Sequence, residues 1–285
     1  MKRRKLLTAL FLLLAVCALA LGIAAVRRAQ RLPSSAGVRV PVLMYHAVGD
    51  DCWGEESLFV KPEELEKQLQ YLSENGYETI FFEDLSHIEQ YEKPVLLTFD
   101  DGYDDNAETL LPLLRKYGMK ATIFAIGVSF GTDHYKDTGY AITPHFGAAE
   151  AAEMTASGLI SIQSHTYDMH QWPPYETGSA VRENILQLSS ESEEAYVQAL
   201  TEDFTRSRAL LEGATGQPVD VLAYPAGQYS TLAQVTLQSL GVHVTLSTNP
   251  GVNTVVKGLP QTLYAMLRFG ITEDVSPEAL LDMIR

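Results

Sequence analysis

An α/β domain built on a mainly parallel sheet is the fold class this chain predicts. Short apolar runs that end in turn residues recur from Val40 to Phe269. Segments with helical spacing lie between them, so strands alternate with helices as in βαβ units. The 285 residues are 46% hydrophobic, enough for one large core at a size where α/β barrels run as a single domain. Closed barrels and open doubly wound sheets both satisfy that alternation.

Val40 to Tyr45 reads as the first strand, with His46 at its end, where barrel active sites gather. Leu65, Leu69 and Leu72 share one face of a helix over 62–76, which Gly76 stops. Thr79 to Phe82 and Pro94 to Phe99 read as strands, the second delivering Asp100. Ala107 to Tyr117 is a helix stopped by Gly118, and Ala121 to Ile126 is a strand. Gly147 to Ser157 is a helix before the apolar run Leu159-Ile160-Ser161-Ile162. Glu191 to Gly213 is a long amphipathic helix. Strands follow at Val219–Tyr224, Val242–Ser247 and Leu263–Phe269, with a helix at Ser230–Leu240 and a last helix capped by Ser276. Residues 128–146 and 171–190 show no period. Loops of that length in a compact domain are often functional, and both are expected to wall a groove.

The formal charge is −15, but residues 1–31 hold seven Lys/Arg and no acid. Beyond them 14 basic residues face 36 acidic ones, a net −22. Such a domain has no general basic patch for nucleic acid, and a neutral polymer suits it better than an anionic one. Lys2-Arg3-Arg4-Lys5 precedes a mostly apolar run from Leu6 to Val26. At 1.5 Å per residue that run spans roughly 31 Å, the thickness of a bilayer core. The reading is a basic tail at 1–5, a membrane signal anchor or signal peptide at 6–26, a linker at 27–37 and a catalytic domain at 38–285. Anchoring places that domain outside the cell on a single-pass segment; cleavage near Ala18-Leu19-Ala20 would secrete it. Cys17 lies in the apolar run and Cys52 is the only other cysteine, so the domain has no internal disulfide.

Leu96-Leu97-Thr98-Phe99-Asp100-Asp101-Gly102-Tyr103 is an apolar run ending in two adjacent carboxylates. Like charges this close resist joint ionisation. A cation relieves the conflict if one carboxylate binds it and the other stays free as a base, although Asp-Gly also suits a plain turn. Ser164-His165-Thr166-Tyr167-Asp168-Met169-His170 carries two histidines five apart, a spacing that suits a loop after a strand end rather than one helix face. One Asp with two His is a three-ligand set for a catalytic Zn²⁺. Val219 to Gly227 is a third strand that breaks at Pro225, and the backbone N–H of Ala226 is a candidate oxyanion donor.

These residues resemble the NodB-type polysaccharide deacetylases, carbohydrate esterase family 4. The match is Thr98-Phe99-Asp100-Asp101-Gly102 and Ser164-His165-Thr166…His170, and it extends over most of residues 38–272. The resemblance implies a distorted (β/α) barrel of seven parallel strands. It implies Asp100 as base and Asp101, His165 and His170 as ligands of Zn²⁺ or another divalent transition metal. Five between the histidines, rather than four with Met169 in the usual place, is similar to the branch acting on poly-N-acetylglucosamine. The family's Arg-x-Pro-Tyr-Gly motif is here Ala223-Tyr224-Pro225-Ala226-Gly227, without the Arg that orients the base. Its Leu-x-His is matched only by Leu267-Arg268, without the acid. Arg268 is therefore expected to orient Asp100 from another strand, with Asp100 shuttling the proton both ways.

The implied reaction is metal-dependent hydrolysis of acetamide groups on an N-acetylglucosamine-containing cell-surface polysaccharide. Tyr103, Tyr167, Trp172, Tyr229 and His46 are the expected sugar contacts. An O-acetyl esterase and a non-catalytic glycan binder are the alternatives.

Overall fold

The computed structural model describes residues 37–50, 58–176 and 180–285. The expected basic tail, the apolar run 6–26, nearly all of the linker and Cys52 lie outside the described residues. Among the described residues no helix is long and apolar enough to cross a membrane.

The strands are β1 (Val38–Tyr45), β2 (Ala47–Val48), β3 (Phe59–Val60), β4 (Glu78–Thr79), β5 (Pro94–Asp101), β6 (Ala121–Ala125), β7 (Ile160–Ser164), β8 (Val221–Ala223), β9 (Val244–Leu246), β10 (Val252–Val255) and β11 (Phe269–Gly270). The α-helices are α1 (Pro62–Glu74), α2 (Leu111–Tyr117), α3 (Ala148–Ala156), α4 (Glu193–Thr215), α5 (Thr231–Ser239) and α6 (Pro277–Ile284). The main sheet runs β10-β1-β5-β6-β7-β8-β9. From β1 to β9 every pairing is parallel, whereas β10 is antiparallel to β1. β11 adds a parallel partner to β1 and β4 one to β5. The fold is the expected distorted (β/α) barrel, its sheet curled so that one seam remains between β9 and β1.

A single segment bridges that seam. Met266 pairs with Leu246 of β9, and three residues later Phe269 pairs with Leu43 of β1. The strand expected over Leu263–Phe269 is thus reduced to two residues. Leu263 instead ends a 3₁₀ turn at Pro260–Leu263. The backbone around Met266 and Arg268 bonds to β9 and to Asn249, so the segment crosses between two neighbours rather than lying along one. Only β4 remains of the strand expected at 79–82, because Phe82–Gln90 turns into 3₁₀ helix.

All eight residues of β5 are buried, which explains its unbroken apolar reading: helices cover one face and the barrel interior the other. Alternation along the pleat sorts them. Leu97 and Phe99 pack with Leu65, Leu69 and Leu111 in the sheet–helix layer, while Leu96 packs with Val42, Phe124 and Leu246 inside the barrel. Thr98 and Asp100 share the parity of Leu96, so both side chains face the interior. A third cluster joins α4 and α5 to β8 through Tyr196, Phe204, Leu222, Tyr224 and Leu237.

The connection after β5 opens with a π turn at Asn106–Leu110 before α2, a distortion of the helix expected from Ala107. Asp105 Oδ2 accepts the Val48 N–H at 2.9 Å, and Asn106 Nδ2 donates to the His46 carbonyl at 3.3 Å. Two side chains thereby pin the segment that carries His46. Burial pushes the Asp105 carboxyl up to about 7, against the lowering effect of the Val48 N–H. An unfolded Asp titrates near ~4, so the native state holds the extra proton between those values and stability falls as pH rises through that window. Asp105→Asn cannot ionise. Its melting temperature relative to wild type is expected to climb between pH 4 and pH 8, and a constant difference over that range in thermal melts refutes the assignment.

Candidate active site

The carboxyl ends of β1, β5, β7 and β8 converge on one group of polar side chains. Asp100 is buried, and Arg268 holds both of its oxygens: Nη1 donates to Oδ1 at 2.7 Å and Nη2 to Oδ2 at 2.8 Å. Arg268 is itself fully buried. Its Nε donates to the Ser247 carbonyl at 2.9 Å, and Nη1 reaches Thr98 Oγ1 at 3.4 Å. The expected Arg268–Asp100 contact is therefore present as a forked pair, with the guanidinium entering from the seam segment. Burial alone would raise the Asp100 pKa; the Arg268 charge, with His165 and His46, instead holds it well below the carboxylate range.

Asp101 ends β5 in the left-handed region, at φ 73°. A regular strand would send adjacent side chains to opposite faces, but both carboxylates reach His165 Nε2, Asp100 Oδ2 at 3.9 Å and Asp101 Oδ1 at 3.6 Å. Asp101 Oδ2 accepts the Tyr103 hydroxyl at 3.0 Å. Oδ1 is buried and makes no hydrogen bond. It faces His165 Nε2 at 3.6 Å and His170 Nε2 at 3.8 Å, too far for hydrogen bonds. Burial acts to raise the Asp101 pKa, but His46, His170 and His165 outweigh it and lower it. His165 Nδ1 lies 2.8 Å from the Ala223 carbonyl, so the network assigns the proton to Nδ1 and leaves the Nε2 lone pair toward Asp101. Burial pushes the His165 pKa down to about 4, which keeps that lone pair free at neutral pH.

Asp101, His165 and His170 each offer one atom within 4.8 Å of the others. Tetrahedral ligands at 2.0–2.2 Å from a common centre stand roughly 3.3–3.6 Å apart, close to the separations found here. A buried carboxylate oxygen without a partner between two imidazole nitrogens is the donor set a divalent cation requires. The residues present fit such an ion.

The histidine loop owes its shape to groups outside the motif. Thr166 is left-handed, at φ 72°. Met169, at the position that holds the second histidine in most resembling sequences, is buried with Tyr196 and Phe204. Its apolar anchoring leaves the next residue, His170, to face Asp101. Asp203 of α4 accepts the N–H groups of Tyr167 at 2.8 Å and Asp168 at 2.7 Å. Sequence reading missed Asp203. Its signal was a carboxylate on the face of α4 that buries Tyr196, Leu200 and Ser207.

Among the expected sugar contacts, Tyr103 spends its hydroxyl on Asp101 and packs its ring 4.9 Å from that of His145. The Tyr167 ring lies against Gly127 and 3.8 Å below the Arg206 guanidinium. Tyr229 and Trp172 are exposed, Tyr229 stacked on Tyr224 at 5.0 Å. His46 is half-buried and bears electrostatically on both Asp100 and Asp101. Ala226 is exposed at φ 52°, and Gly227 touches Thr248 so closely that a Cβ would clash. A cavity of about 800 Å³ opens at the opposite end of the barrel, where Ile160, Val221 and Val244 begin their strands, and takes no part in this arrangement.

Removing Arg268 would strand a buried carboxylate without its counter-charge. Arg268→Ala is expected to cost about 3–5 kcal/mol in urea unfolding, and Arg268→Met combined with Asp100→Asn to recover most of it. A single variant as stable as wild type would falsify the dependence of the site on this pair.

Residues 87–245 match the family model described as polysaccharide deacetylase. YxkH of Bacillus subtilis (strain 168), itself named only as a candidate polysaccharide deacetylase, is 31% identical over 85% of this chain and 74% of its own length. The poly-β-1,6-N-acetyl-D-glucosamine N-deacetylase of Escherichia coli (strain K12) is 27% identical over 45% of this chain and 20% of its own. Among solved structures, the Streptococcus pyogenes deacetylase PplD in complex with acetate superposes with a TM-score of 0.67. It is 25% identical over 87% of this chain and 99% of that one. Family match, extended similarity and shared fold agree with the residues gathered at the strand ends: the chain belongs to the polysaccharide deacetylase family of hydrolases.

Proposed function

We propose that this protein hydrolyses acetamide groups of an N-acetylglucosamine-containing cell-surface polysaccharide in a metal-dependent reaction. The observation that carries the reading is the unpartnered Asp101 Oδ1 between two imidazole nitrogens, beside a carboxylate that Arg268 holds ready. Asp101, His165 and His170 would hold the ion, Zn²⁺ or another divalent transition metal that accepts one carboxylate and two imidazoles. When bound, such an ion supplies Lewis acidity at the acetyl carbonyl and lowers the pKa of water toward ~7.

The chain's own residues supply the rest. Asp100 accepts the proton of the attacking water as the new C–O bond forms. Arg268 fixes the plane of that carboxylate, and Tyr103 fixes Asp101 by its second oxygen. The Ala226 N–H faces the oxyanion of the tetrahedral carbon. Breaking the C–N bond requires a proton on nitrogen. Asp100 returns to that nitrogen the proton it took from water, and Arg268 holds the carboxylate for both transfers. The products are acetate and a free glucosamine amine.

Two similarities support this substrate class. The Escherichia coli relative is named for poly-β-1,6-N-acetyl-D-glucosamine, and PplD was solved with acetate, the product expected here. The net negative charge suits a neutral glycan. The basic tail and the apolar run 6–26 support a membrane-anchored, extracellular catalytic domain, or a secreted one after cleavage.

The test is acetate release from N-acetylglucosamine oligomers. Chelation is expected to abolish it and Zn²⁺ to restore it. Asp100→Asn should lower the rate at least ~100-fold. Release from O-acetylated sugars alone would replace this reading with an esterase.

A further inference from the structure

The two loops that lack sequence periodicity meet at a set of aromatic rings. Residues 131–146 fold back on themselves: His134 bridges Ala141, and the Tyr135 N–H bonds the Tyr140 carbonyl at 2.8 Å. Tyr135 is buried, whereas Tyr140 is 52% exposed. Tyr140 stacks on Tyr175 of the second loop, with centroids 4.8 Å apart and planes at 18°. Tyr175 in turn leans on Tyr135 at 5.5 Å. One face of Tyr140 is thus supported by a second ring, and about half of the residue remains exposed. Trp172, 49% exposed, lies on the same loop, and its backbone N–H donates to the Tyr135 hydroxyl at 3.3 Å.

These rings flank the candidate site. The folded-back loop returns to it at His145, which bridges Tyr103 next to the carboxylate pair. On the other side Lys136 pairs with Asp168, at 2.7 Å, and with Glu176. Asp168 lies between the two histidines. Trp172 is two residues past His170, at most ~7 Å along the chain.

We infer that Tyr140, backed by Tyr175 of the loop that carries Trp172, is a binding subsite for a sugar ring of the polysaccharide next to the reacting unit. This rests on the substrate class proposed above. A braced, half-exposed ring suits the flat C–H face of a pyranose, because the protein's ordering cost is met before binding. The loop's rim argues against an anionic or lipid occupant: Asp133 and Asp137 are exposed there, and the one lysine is committed to two carboxylates.

The probes are β-linked N-acetylglucosamine tetramer and dimer, titrated into the full chain by calorimetry and followed in parallel for acetate. Tyr140→Ala is expected to weaken tetramer binding roughly tenfold, and Tyr140→Phe, which keeps the ring, to restore it. The tetramer-to-dimer ratio of kcat/KM should fall by a similar factor, through KM. Because Tyr140 is half exposed, its truncation leaves the core intact, which a thermal melt checks. An unchanged Kd and ratio in Tyr140→Ala overturns the subsite, as does a wild type that binds neutral lipid vesicles through Tyr140 but not tetramer. Tetramer binding that depends on Tyr140 without acetate release would uphold the subsite and remove the deacetylase reading instead.

Discussion

Arg268 reaches Asp100 only if the barrel is closed. Its backbone belongs to the five residues that cross from β9 to β1, and its guanidinium lies inside, bonded to Ser247 on one side and Asp100 on the other. Two charges with almost no solvent access are tolerable because nearly every donor and acceptor is used in the pair or by Thr98 and Ser247. Closing the seam and orienting the carboxylate are therefore one event. The guanidinium that orients Asp100 thus depends for its placement on the segment leading into the last strand, β11.

Around that pair, backbone geometry gathers the chemistry. A regular strand would turn adjacent Asp100 and Asp101 to opposite faces, but Asp101 leaves the strand in a left-handed conformation and both reach the site, Asp100 on Arg268 and Asp101 between the histidines. Thr166 and Ala226 are likewise left-handed just past the ends of β7 and β8. Such conformations cost of order 1–3 kcal/mol each and persist only where surroundings impose them. The surroundings are identifiable: the Tyr103 hydroxyl on Asp101, the Asp203 carboxylate under the histidine loop, and the close approach of Gly227 to Thr248.

Much of this was legible in the chain. β5, β6 and β7 read as apolar runs because both faces are covered, and the Asp pair and the His pair stood at strand ends, where a parallel barrel collects its functional groups. Weaker elements were not legible. β10 has a mixed burial pattern over four residues, and the 82–90 segment buries Phe82, Leu85 and Ile88 in a 3₁₀ coil that a strand reading cannot distinguish over so short a run.

By itself, the sequence determined the alternation of strands and helices and the carboxylate and imidazole types at the site, because these depend on local pattern and residue chemistry. The tertiary structure decided which groups meet. Arg268 and Asp100 lie 168 positions apart, and Asp203 stands 35 and 36 positions from the backbone it holds. Met169, not His170, is drawn into the apolar cluster at the histidine loop. Contacts of that range follow from closing the sheet and burying apolar surface on its outer face, and no local signal encodes them.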